Sequence, residues 1–538
     1  MKKTCQACNR TFTIHSDDTE WYKRFDIPVP ELCPPCRSQR RLAHRNETSL
    51  YSDQCDLCKK SIISQYHPES KLTVYCRDCW WSDKWNPFQY GRPFDFTKPF
   101  FEQWGEFIRT LPHINLLDMN SDNSAYTNCV SHNKNSYLIF TADYNENSLY
   151  SNWLQHSRDC CDDFKLNNGE RAYECFFGDR LHSSQYLIKC FSAAESLYCY
   201  DCRNIQNCFL SSNLRNKQYY ILNKPYSREE YEKIVADWQL ATPAGRDKAL
   251  AALKQLMEQS IHHFRNQLGR IEASSGDYLR DVNQAWECFD VEQADHCRYV
   301  RNMIKIKDAM DCEYGGVGEN GYQNVETYPM PQHSLCTYGC YGGNDVYYSH
   351  SVMNSKNVFA SCGFKKAEYV LFNTQYTEQD YGELFKKVKA QMLQTGEWGQ
   401  YFPIETSLFG YNETNAQHWY PLTQPDVTKH GWPWHEPLPV QPGQSTVCTK
   451  CQRPFKYVDQ ELKFYKEMQI PNPTLCYSCR FERRRQWHNP QSLWHRQCMC
   501  TQTDHGHNGL CTTEFDTTYT PERKEIVYCD ECYKKEVY

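Results

Sequence analysis

The sequence lacks any apolar run that approaches the ~18 residues needed to cross a membrane. Its N-terminus, Met1-Lys2-Lys3-Thr4-Cys5, lacks the apolar core of a secretory signal. The glycine-rich stretch 315–318 matches no phosphate-binding loop, and no nucleophile has an evident general base. These absences argue against a membrane protein and against a phosphate-loop enzyme. We expect a folded, cytoplasmic protein.

Cysteine, by contrast, is abundant. The chain of 538 residues holds 31 cysteines and carries a net charge of −6. In a chain without an export signal, so many cysteines indicate thiols and metal sites rather than disulfides. A chain of this length is expected to form several domains.

Paired cysteines near both ends predict about four structural Zn²⁺ sites, because four thiolates complete a tetrahedral zinc shell. The first and third sites each have 24 residues between two Cys-x2-Cys pairs, followed by a helix-forming segment. With a hairpin carrying Phe12, Trp21, Tyr22 and Phe25, this order describes a treble clef, whereas the second and fourth sites are typical of zinc ribbons. The predicted ligands are Cys5, Cys8, Cys33, Cys36, Cys55, Cys58, Cys76, Cys79, Cys448, Cys451, Cys476, Cys479, Cys498, Cys500, Cys529 and Cys532. In the fourth site Cys511, His505 and His507 compete with these ligands.

Between the zinc modules, residues 123–223 repeat a short phrase every 11 or 12 residues, as in Asn135-Ser136-Tyr137-Leu138 and Asn147-Ser148-Leu149-Tyr150. A unit this short cannot bury its own apolar face, so copies must stack. We predict a mainly β fold with a β-solenoid of the parallel β-helix kind, two repeats per coil; a sandwich or propeller is the alternative. The predicted stacked core positions are Leu138, Tyr150, Tyr186 and Tyr198, with Ser136 in a turn. The cysteines outside the zinc pairs, such as Cys160 and Cys175, are interpreted as core residues.

The array then occurs a second time, which indicates an internal duplication. Each copy ends alike, at Tyr220-Ile221-Leu222-Asn223 and at Val370-Leu371-Phe372-Asn373, and each is followed by a helix. After the first array, Ser227 and Glu230 form a capping box, and a second helix is predicted from Asp247 to about Gly269.

The predicted divisions are residues 1–50 (treble clef), 51–90 (zinc ribbon), 91–118 (aromatic connector), 119–225 (first β-repeat array), 226–271 (helical hairpin), 272–375 (second array), 376–396 (capping helix), 397–445 (Pro/aromatic linker), 446–490 (second treble clef) and 491–538 (second zinc ribbon).

Several phrases resemble a family of large bacterial proteins with zinc-ribbon or treble-clef domains at both ends and a central repeat region. They are Cys33-Pro34-Pro35-Cys36-Arg37, the segments 74–85 and 409–414, and Ile526-Val527-Tyr528-Cys529. They extend from one terminus to the other, so the resemblance covers most of the chain. It implies zinc and this architecture, and it implies no activity.

Charge is unevenly distributed. Residues 1–50 carry net +3 and residues 441–490 net +5, which leaves −14 on the rest of the chain. The basic helices after Cys36 and Cys479 fit phosphate binding, because arginine offers a planar, bidentate donor fork. The predicted nucleic-acid contacts are Arg37, Arg40, Arg41, Arg480, Arg483 and Arg484, with Trp487 placed for stacking. The alternative interpretation is that these arginines are solvated or pair with the acidic arrays.

We therefore expect a non-catalytic scaffold that binds RNA or a ribonucleoprotein, since nothing resembles a groove-reading helix with a dimer partner. A protein–protein interaction scaffold is the first alternative. The second is a β-helix enzyme acting on a polysaccharide, for which the nearest carboxylates are Asp159, Asp162, Asp163 and Glu174. These acids are equally well explained by turn chemistry.

Overall fold

The computed structural model describes residues 1–438 and 446–538, and it divides into two compact units. The first unit combines Met1–Leu116 with Arg265–Glu436, and the second combines Leu117–Phe264 with Pro437–Tyr538. Each unit therefore joins terminal zinc modules to one central array. The linear division predicted from sequence does not anticipate this grouping, because the joined segments are far apart along the chain.

Each unit contains a large, mainly parallel sheet of 11 strands. In the first unit these strands are Gln267–Glu272, Gly276–Trp286, Cys288–Arg298, Arg301–Met310, Glu313–Tyr322, Val325–Thr327, Ser334–Leu335, Tyr341–Tyr347, Met353–Phe359, Glu368–Leu371 and Thr374–Gln375. In the second they are Asp118–Met119, Asn128–Ser131, Phe140–Asp143, Asn152–Gln155, Phe164–Asn167, Glu170–Tyr173, Phe176–Gln185, Phe191–Ala194, Arg203–Phe209, Arg215–Ile221 and Lys224–Pro225. The mainly β fold and the repeated arrays are confirmed.

Smaller elements complete both units. The first unit has strands Lys2–Thr4, Thr11–Thr13, Tyr51–Gln54, Ser61–Ser64, Thr73–Tyr75 and Pro112–Ile114, and helices Ser16–Arg24, Pro34–Leu42, Arg77–Trp80, Phe100–Thr110, Glu378–Gln394, Asn415–Trp419 and Gln424–Lys429. The second has strands Ile261–His263, Thr446–Val447, Pro454–Phe455, Trp494–Gln497, Glu514–Thr517 and Ile526–Tyr528, and helices Arg228–Asp237, Pro243–Gln259, Asp459–Glu467, Tyr477–Arg485 and Asp530–Val537. Among the described residues, no helix is long and apolar enough to cross a membrane.

Most neighbouring parallel strands are offset by 12 residues; in the first unit the offset is 11 at Ile271–Val282 and 13 at Gly321–Ser334. Asn152 pairs in parallel with Phe164, and Phe164 pairs in the same way with Phe176. In the first unit Val291 pairs with Met303 twelve residues later. One repeat therefore separates neighbouring strands, and the prediction of two repeats per coil is wrong.

A three-residue period determines which side chains face the core. Between residues 123 and 222 a left-handed backbone conformation occurs at every third residue, for example at Asn135 (φ 50°) and Leu138 (φ 51°). The core of the second-unit sheet is another set spaced by multiples of three, formed by Val130, Ile139, Ala142, Leu154, Cys160, Leu166, Ala172, Cys175, Leu181, Leu187, Cys190, Ala193, Cys199, Cys202, Ile205, Cys208 and Leu214. Small and aliphatic side chains predominate there, and the interpretation of Cys160 and Cys175 as core residues is confirmed.

The predicted core positions are out of phase with this period. Leu138 occupies a left-handed position and is half-buried, whereas its neighbour Ile139 is fully buried in the core. Ser136, predicted in a turn, is buried, and its Oγ accepts a hydrogen bond from the Ser148 N–H at 3.3 Å. Tyr150 is buried outside the core set, where its hydroxyl contacts Glu461. The other two predicted positions, Tyr186 and Tyr198, also lie on the left-handed set; both are buried, and their rings stack with centroids 4.7 Å apart.

Two segments differ from their predicted secondary structure. The second helix of the hairpin ends at Gln259 rather than near Gly269, because Ile261–His263 pairs with Ile526–Tyr528 as a strand. Trp21 and Tyr22, predicted in a hairpin, lie on the helix Ser16–Arg24. The predicted capping box of Ser227 and Glu230 is confirmed.

The segment predicted as a linker packs along the first unit over residues 397–436. Its aromatic side chains Tyr401, Phe402 and Tyr411 are buried. The Arg40 guanidinium donates to the Phe402 carbonyl at 3.0 Å, which ties this segment to the N-terminal module. Residues 439–445 of the predicted linker lie outside the described residues.

Candidate zinc centres and arginine clusters

Three cysteine tetrads form as predicted. Their members are Cys5, Cys8, Cys33 and Cys36; Cys55, Cys58, Cys76 and Cys79; and Cys448, Cys451, Cys476 and Cys479, with the sulfur atoms of each tetrad within 4.8 Å of one another. The Cys8–Cys33 and Cys58–Cys76 sulfur pairs are 3.8 Å apart. A tetrahedral site with Zn–S bonds of about 2.3 Å requires separations of about 3.8 Å. The tetrads are therefore consistent with structural zinc.

The second cysteine pair of each module begins a helix. Cys33, Cys76, Cys476 and Cys529 are the N-caps of Pro34–Leu42, Arg77–Trp80, Tyr477–Arg485 and Asp530–Val537. The helix predicted to follow the cysteine pairs of the first module is confirmed, and it begins at the second pair. The positive end of the helix dipole favours thiolates at this position.

Hydrogen bonds from backbone amides lower the pKa of some of these thiols. Burial raises the pKa of Cys55, but hydrogen bonds from the backbone N–H groups of Cys58 and Cys76 outweigh it and lower that pKa to about 6. In the third module the N–H groups of Cys451 and Cys476 lower the pKa of Cys448 to about 6 in the same way, again against burial. Thiolates are the zinc-binding form of cysteine, so these turns favour the metal-bound state.

The fourth tetrad differs from the predicted ligand set. It consists of Cys498, Cys511, Cys529 and Cys532, so Cys511 takes the place predicted for Cys500. Cys500 instead lies beside His505, with 3.1 Å between its Sγ and the imidazole Nδ1. Cys498 and Cys500 therefore belong to two different groups of potential ligands. The close sequence spacing of Cys498 and Cys500 was the misleading signal.

Buried ion pairs hold the N-terminal cysteine module on the sheet of its unit. Arg37 lies 2.8 Å from the Asp311 carboxylate, and Arg41 lies 3.2 Å from Asp311 and 3.1 Å from Glu313. These four side chains, which we call the first arginine cluster, are almost completely buried.

The second unit repeats this arrangement. Arg480 and Arg484 lie 2.9 and 2.7 Å from the carboxylate of Asp162, and Arg484 lies 3.2 Å from Glu174. Burial raises the pKa of Asp162, but the Arg480 and Arg484 guanidinium groups outweigh it and lower that pKa. We call these four residues the second arginine cluster. Arg483 also contacts Glu174 and is partly exposed.

The arginine clusters correct the predicted phosphate contacts. Arg37, Arg41, Arg480 and Arg484 are buried against carboxylates, so they cannot reach a phosphate without leaving an uncompensated buried charge. Arg40 is bound to the Phe402 carbonyl and to Gln400. The alternative interpretation, pairing with the acidic arrays, is confirmed for five of the six arginines, since Arg483 also contacts Glu174.

The carboxylates considered for a polysaccharide-cleaving site do not form an accessible pair. Asp162 and Glu174 belong to the second arginine cluster. Asp163 is fully buried, where burial raises its pKa, and one of its oxygens accepts a hydrogen bond from the Cys175 N–H at 2.7 Å. Asp159 accepts a hydrogen bond from Asn147, so these four acids have structural partners.

A cleft of about 290 Å³ opens in the second unit beside the helix Tyr477–Arg485. It is lined by cationic and aromatic side chains that include Lys189, Lys254, Arg483, Trp487, Tyr519 and Arg523. The carboxylates of Glu258 and Glu525 also line it, and Arg523 pairs with Glu525. Of these lining residues, Arg483 and Trp487 were predicted from the sequence; the others come from distant segments of the chain and carry no local signal.

Comparison with known protein families agrees with the third tetrad. A family described as "Probable treble clef domain" matches residues 444–488, a range that includes all four of its cysteines. The C-terminal part of the chain therefore contains a treble-clef zinc-binding domain. No curated protein matches the chain.

Proposed function

We propose that this protein is a non-catalytic, zinc-stabilised scaffold that binds single-stranded RNA through the cleft of the second unit. The observation that carries the proposal is the combination of four cationic side chains with Trp487 and Tyr519 around one cleft. Cationic grooves with aromatic faces suit single strands, because each base can stack on an indole or phenol ring. A volume of about 290 Å³ has room for a base and excludes a duplex.

The proposal moves the RNA contacts away from the buried arginines. Arg483 is the one predicted arginine that lines this cleft, and Lys254 on the helix Pro243–Gln259 is exposed beside it. The four arginines of the two clusters instead attach zinc modules to the arrays. Arg483 is the residue of the helix Tyr477–Arg485 that both lines the cleft and contacts the array, through Glu174.

Titration of labelled single-stranded RNA at several salt concentrations tests this function. Trp487→Ala should weaken binding by about 1–3 kcal/mol, the usual value of one base–aromatic stack. Lys254→Gln should weaken binding and reduce the slope of log affinity against log salt by about 0.7. Lys248→Gln is the matched control, because Lys248 lies on the same helix and packs 4.3 Å from the Trp238 ring centroid instead. Unchanged RNA affinity in both cleft variants would refute the proposal.

A protein-binding scaffold is the second candidate, supported by a cleft of about 450 Å³ in the first unit. Asp17 and Glu20 line it together with Trp21 and Trp286, and Trp286 is 40% exposed. Arg24 and Arg298 also line it, and Arg298 lies 3.5 Å from Asp17, so Glu20 is the carboxylate offered to a basic peptide. Carboxylates beside indole rings suit a basic peptide, through ion pairs and cation–π contacts. Binding of a lysine- or arginine-rich peptide that is lost in Trp286→Ala and kept in Trp487→Ala would favour this candidate.

We further propose that each parallel sheet is part of a closed β-solenoid with one 12-residue repeat per coil. The support is a set of parallel ladders that share the 12-residue register and start three residues apart, as at Lys134–Glu146, Tyr137–Leu149 and Phe140–Asn152. Such ladders fit a coil of four short sides around the small core set. An experimental density map of the second unit tests this closure directly, since an open sheet would show one ladder only.

A further inference from the structure

The C-terminal module contains a second group of metal-binding side chains beside its cysteine tetrad. Cys500, His505, His507 and Cys532 each offer one ligand atom, and these atoms lie within 4.8 Å of one another. Cys532 is also a member of the tetrad formed with Cys498, Cys511 and Cys529. The two groups therefore share one thiol.

The distances within this second group suit a tetrahedral zinc shell. The Cys532 Sγ lies 3.5 Å from the His507 Nε2, and the Cys500 Sγ lies 3.1 Å from the His505 Nδ1. With Zn–S bonds of about 2.3 Å and Zn–N bonds of about 2.0 Å, sulfur and nitrogen ligands lie roughly 3.5 Å apart. Cys500, Cys532 and His505 are buried, so the group is enclosed as structural zinc sites are.

Both imidazoles are oriented by partners on their other nitrogen. The His507 Nδ1–H donates to the Gly509 carbonyl at 2.9 Å, which leaves the Nε2 lone pair facing Cys532. The His505 Nε2 faces the Glu536 carboxylate at 3.6 Å, while its Nδ1 faces Cys500. Metal-bound histidines almost always have such a carbonyl or carboxylate behind them, because it selects the tautomer.

We propose that the C-terminal module binds two Zn²⁺ ions, and that the Cys532 thiolate bridges them. One ion takes Cys498, Cys511, Cys529 and Cys532, and the other takes Cys500, His505, His507 and Cys532. The chain then holds five zinc ions, one more than its four cysteine tetrads provide.

The electrostatics favour this sharing. Four thiolates around one Zn²⁺ leave two negative charges in a buried site, and burying charge without compensation is costly. A second Zn²⁺ adds two positive charges and one further thiolate, from Cys500, while the two histidines bind as neutral imidazoles. The seven side chains thus form a cluster with less net charge, and every buried thiolate has a metal partner.

Native mass spectrometry of the full chain, purified without chelator, counts the metal directly. The unmodified protein should hold five zinc ions. His505→Gln/His507→Gln should hold four, because the tetrad with Cys511 remains complete. His495→Gln is the matched control: this histidine is in the same module and pairs with Glu514 and Asp516 at the surface, so five ions should remain.

Cadmium-substituted protein tests the bridge itself. Two cadmium nuclei that share the Cys532 sulfur should show mutual scalar coupling in their NMR signals, and His505→Gln/His507→Gln should abolish that coupling. Four zinc ions in both the unmodified protein and the double variant would overturn the second site. Five ions without cadmium–cadmium coupling would overturn the shared thiolate.

Discussion

At the scale of single residues, the three-residue period decides whether a substitution reaches the core. Ile139 belongs to the fully buried core set, whereas Leu138 occupies the adjacent left-handed position and is half-buried. Ile139→Asp should therefore destabilise the second unit by more than about 4 kcal/mol, because it buries a carboxylate without a partner. Leu138→Asp should cost much less.

Thermal unfolding followed by circular dichroism compares these two variants. A larger loss of Tm in Leu138→Asp than in Ile139→Asp would contradict the inward orientation of Ile139.

The arginine clusters make a second residue-scale prediction. Arg484→Gln removes a cationic partner of both Asp162 and Glu174. We therefore expect the free energy of unfolding of the second unit to fall by about 3–5 kcal/mol. Arg158→Gln is the control, because its pair with Glu170 lies in the same unit with both side chains about half exposed. Exposed pairs contribute about 0–1 kcal/mol. Chemical denaturation should give a much larger loss of unfolding free energy for Arg484→Gln than for Arg158→Gln. Similar losses in the two variants would argue against docking by buried charge.

At the scale of elements, zinc and helix formation are coupled. Cys476 and Cys479 stand at the start of Tyr477–Arg485, so removing zinc should unravel this helix and release its docking contacts. Apparent binding energies of about 10–16 kcal/mol make zinc part of folding in such modules. The parallel sheet should persist, because its core is formed by stacked side chains and contains none of the tetrad cysteines.

Hydrogen exchange with mass spectrometry, before and after chelation, resolves these elements. Rapid exchange is expected in 477–485 and continued protection in 203–209. Unchanged protection of the helix after zinc loss would show that docking alone maintains it.

At the scale of the whole molecule, buried neutral histidines link stability to pH. Burial lowers the pKa of His44 to about 3 and that of His113 to about 4, both in the first unit. The unfolded chain takes up protons at these positions near pH 6.5, whereas the folded unit does so only near the lowered values. Stability is therefore complete above about pH 6.5 and falls as the pH drops towards 4.

The dependence of Tm on pH between 7.5 and 5.5, with excess zinc present, measures this linkage. His113→Phe removes one titrating group and should give a shallower decline than the unmodified protein. A decline of equal slope would assign the pH dependence to other groups.

The cysteine tetrads show how far local sequence information reaches. Within each of the first three tetrads the ligands lie in one short segment, so the cysteine spacing alone predicted three of the four ligand sets correctly. The duplication, the β class and the helix starts at Cys33 and Cys476 also follow from short-range patterns. The fourth site differed because Cys511 approaches Cys498 only through the pairing of 494–497 with 514–517.

The sequence by itself determined the chemistry of the parts: zinc-binding thiols, stacking repeats and basic helices. Only the tertiary structure decided what those helices contact, because Arg37 meets Asp311 from 274 residues away and Arg480 meets Asp162 from 318. Arginines at helical spacing look the same in a sequence whether their partner in the folded protein is a phosphate or a carboxylate. Folding brings the carboxylates of Asp311 and Asp162 next to these arginines and excludes water. The arginines that suggested phosphate binding therefore form internal ion pairs.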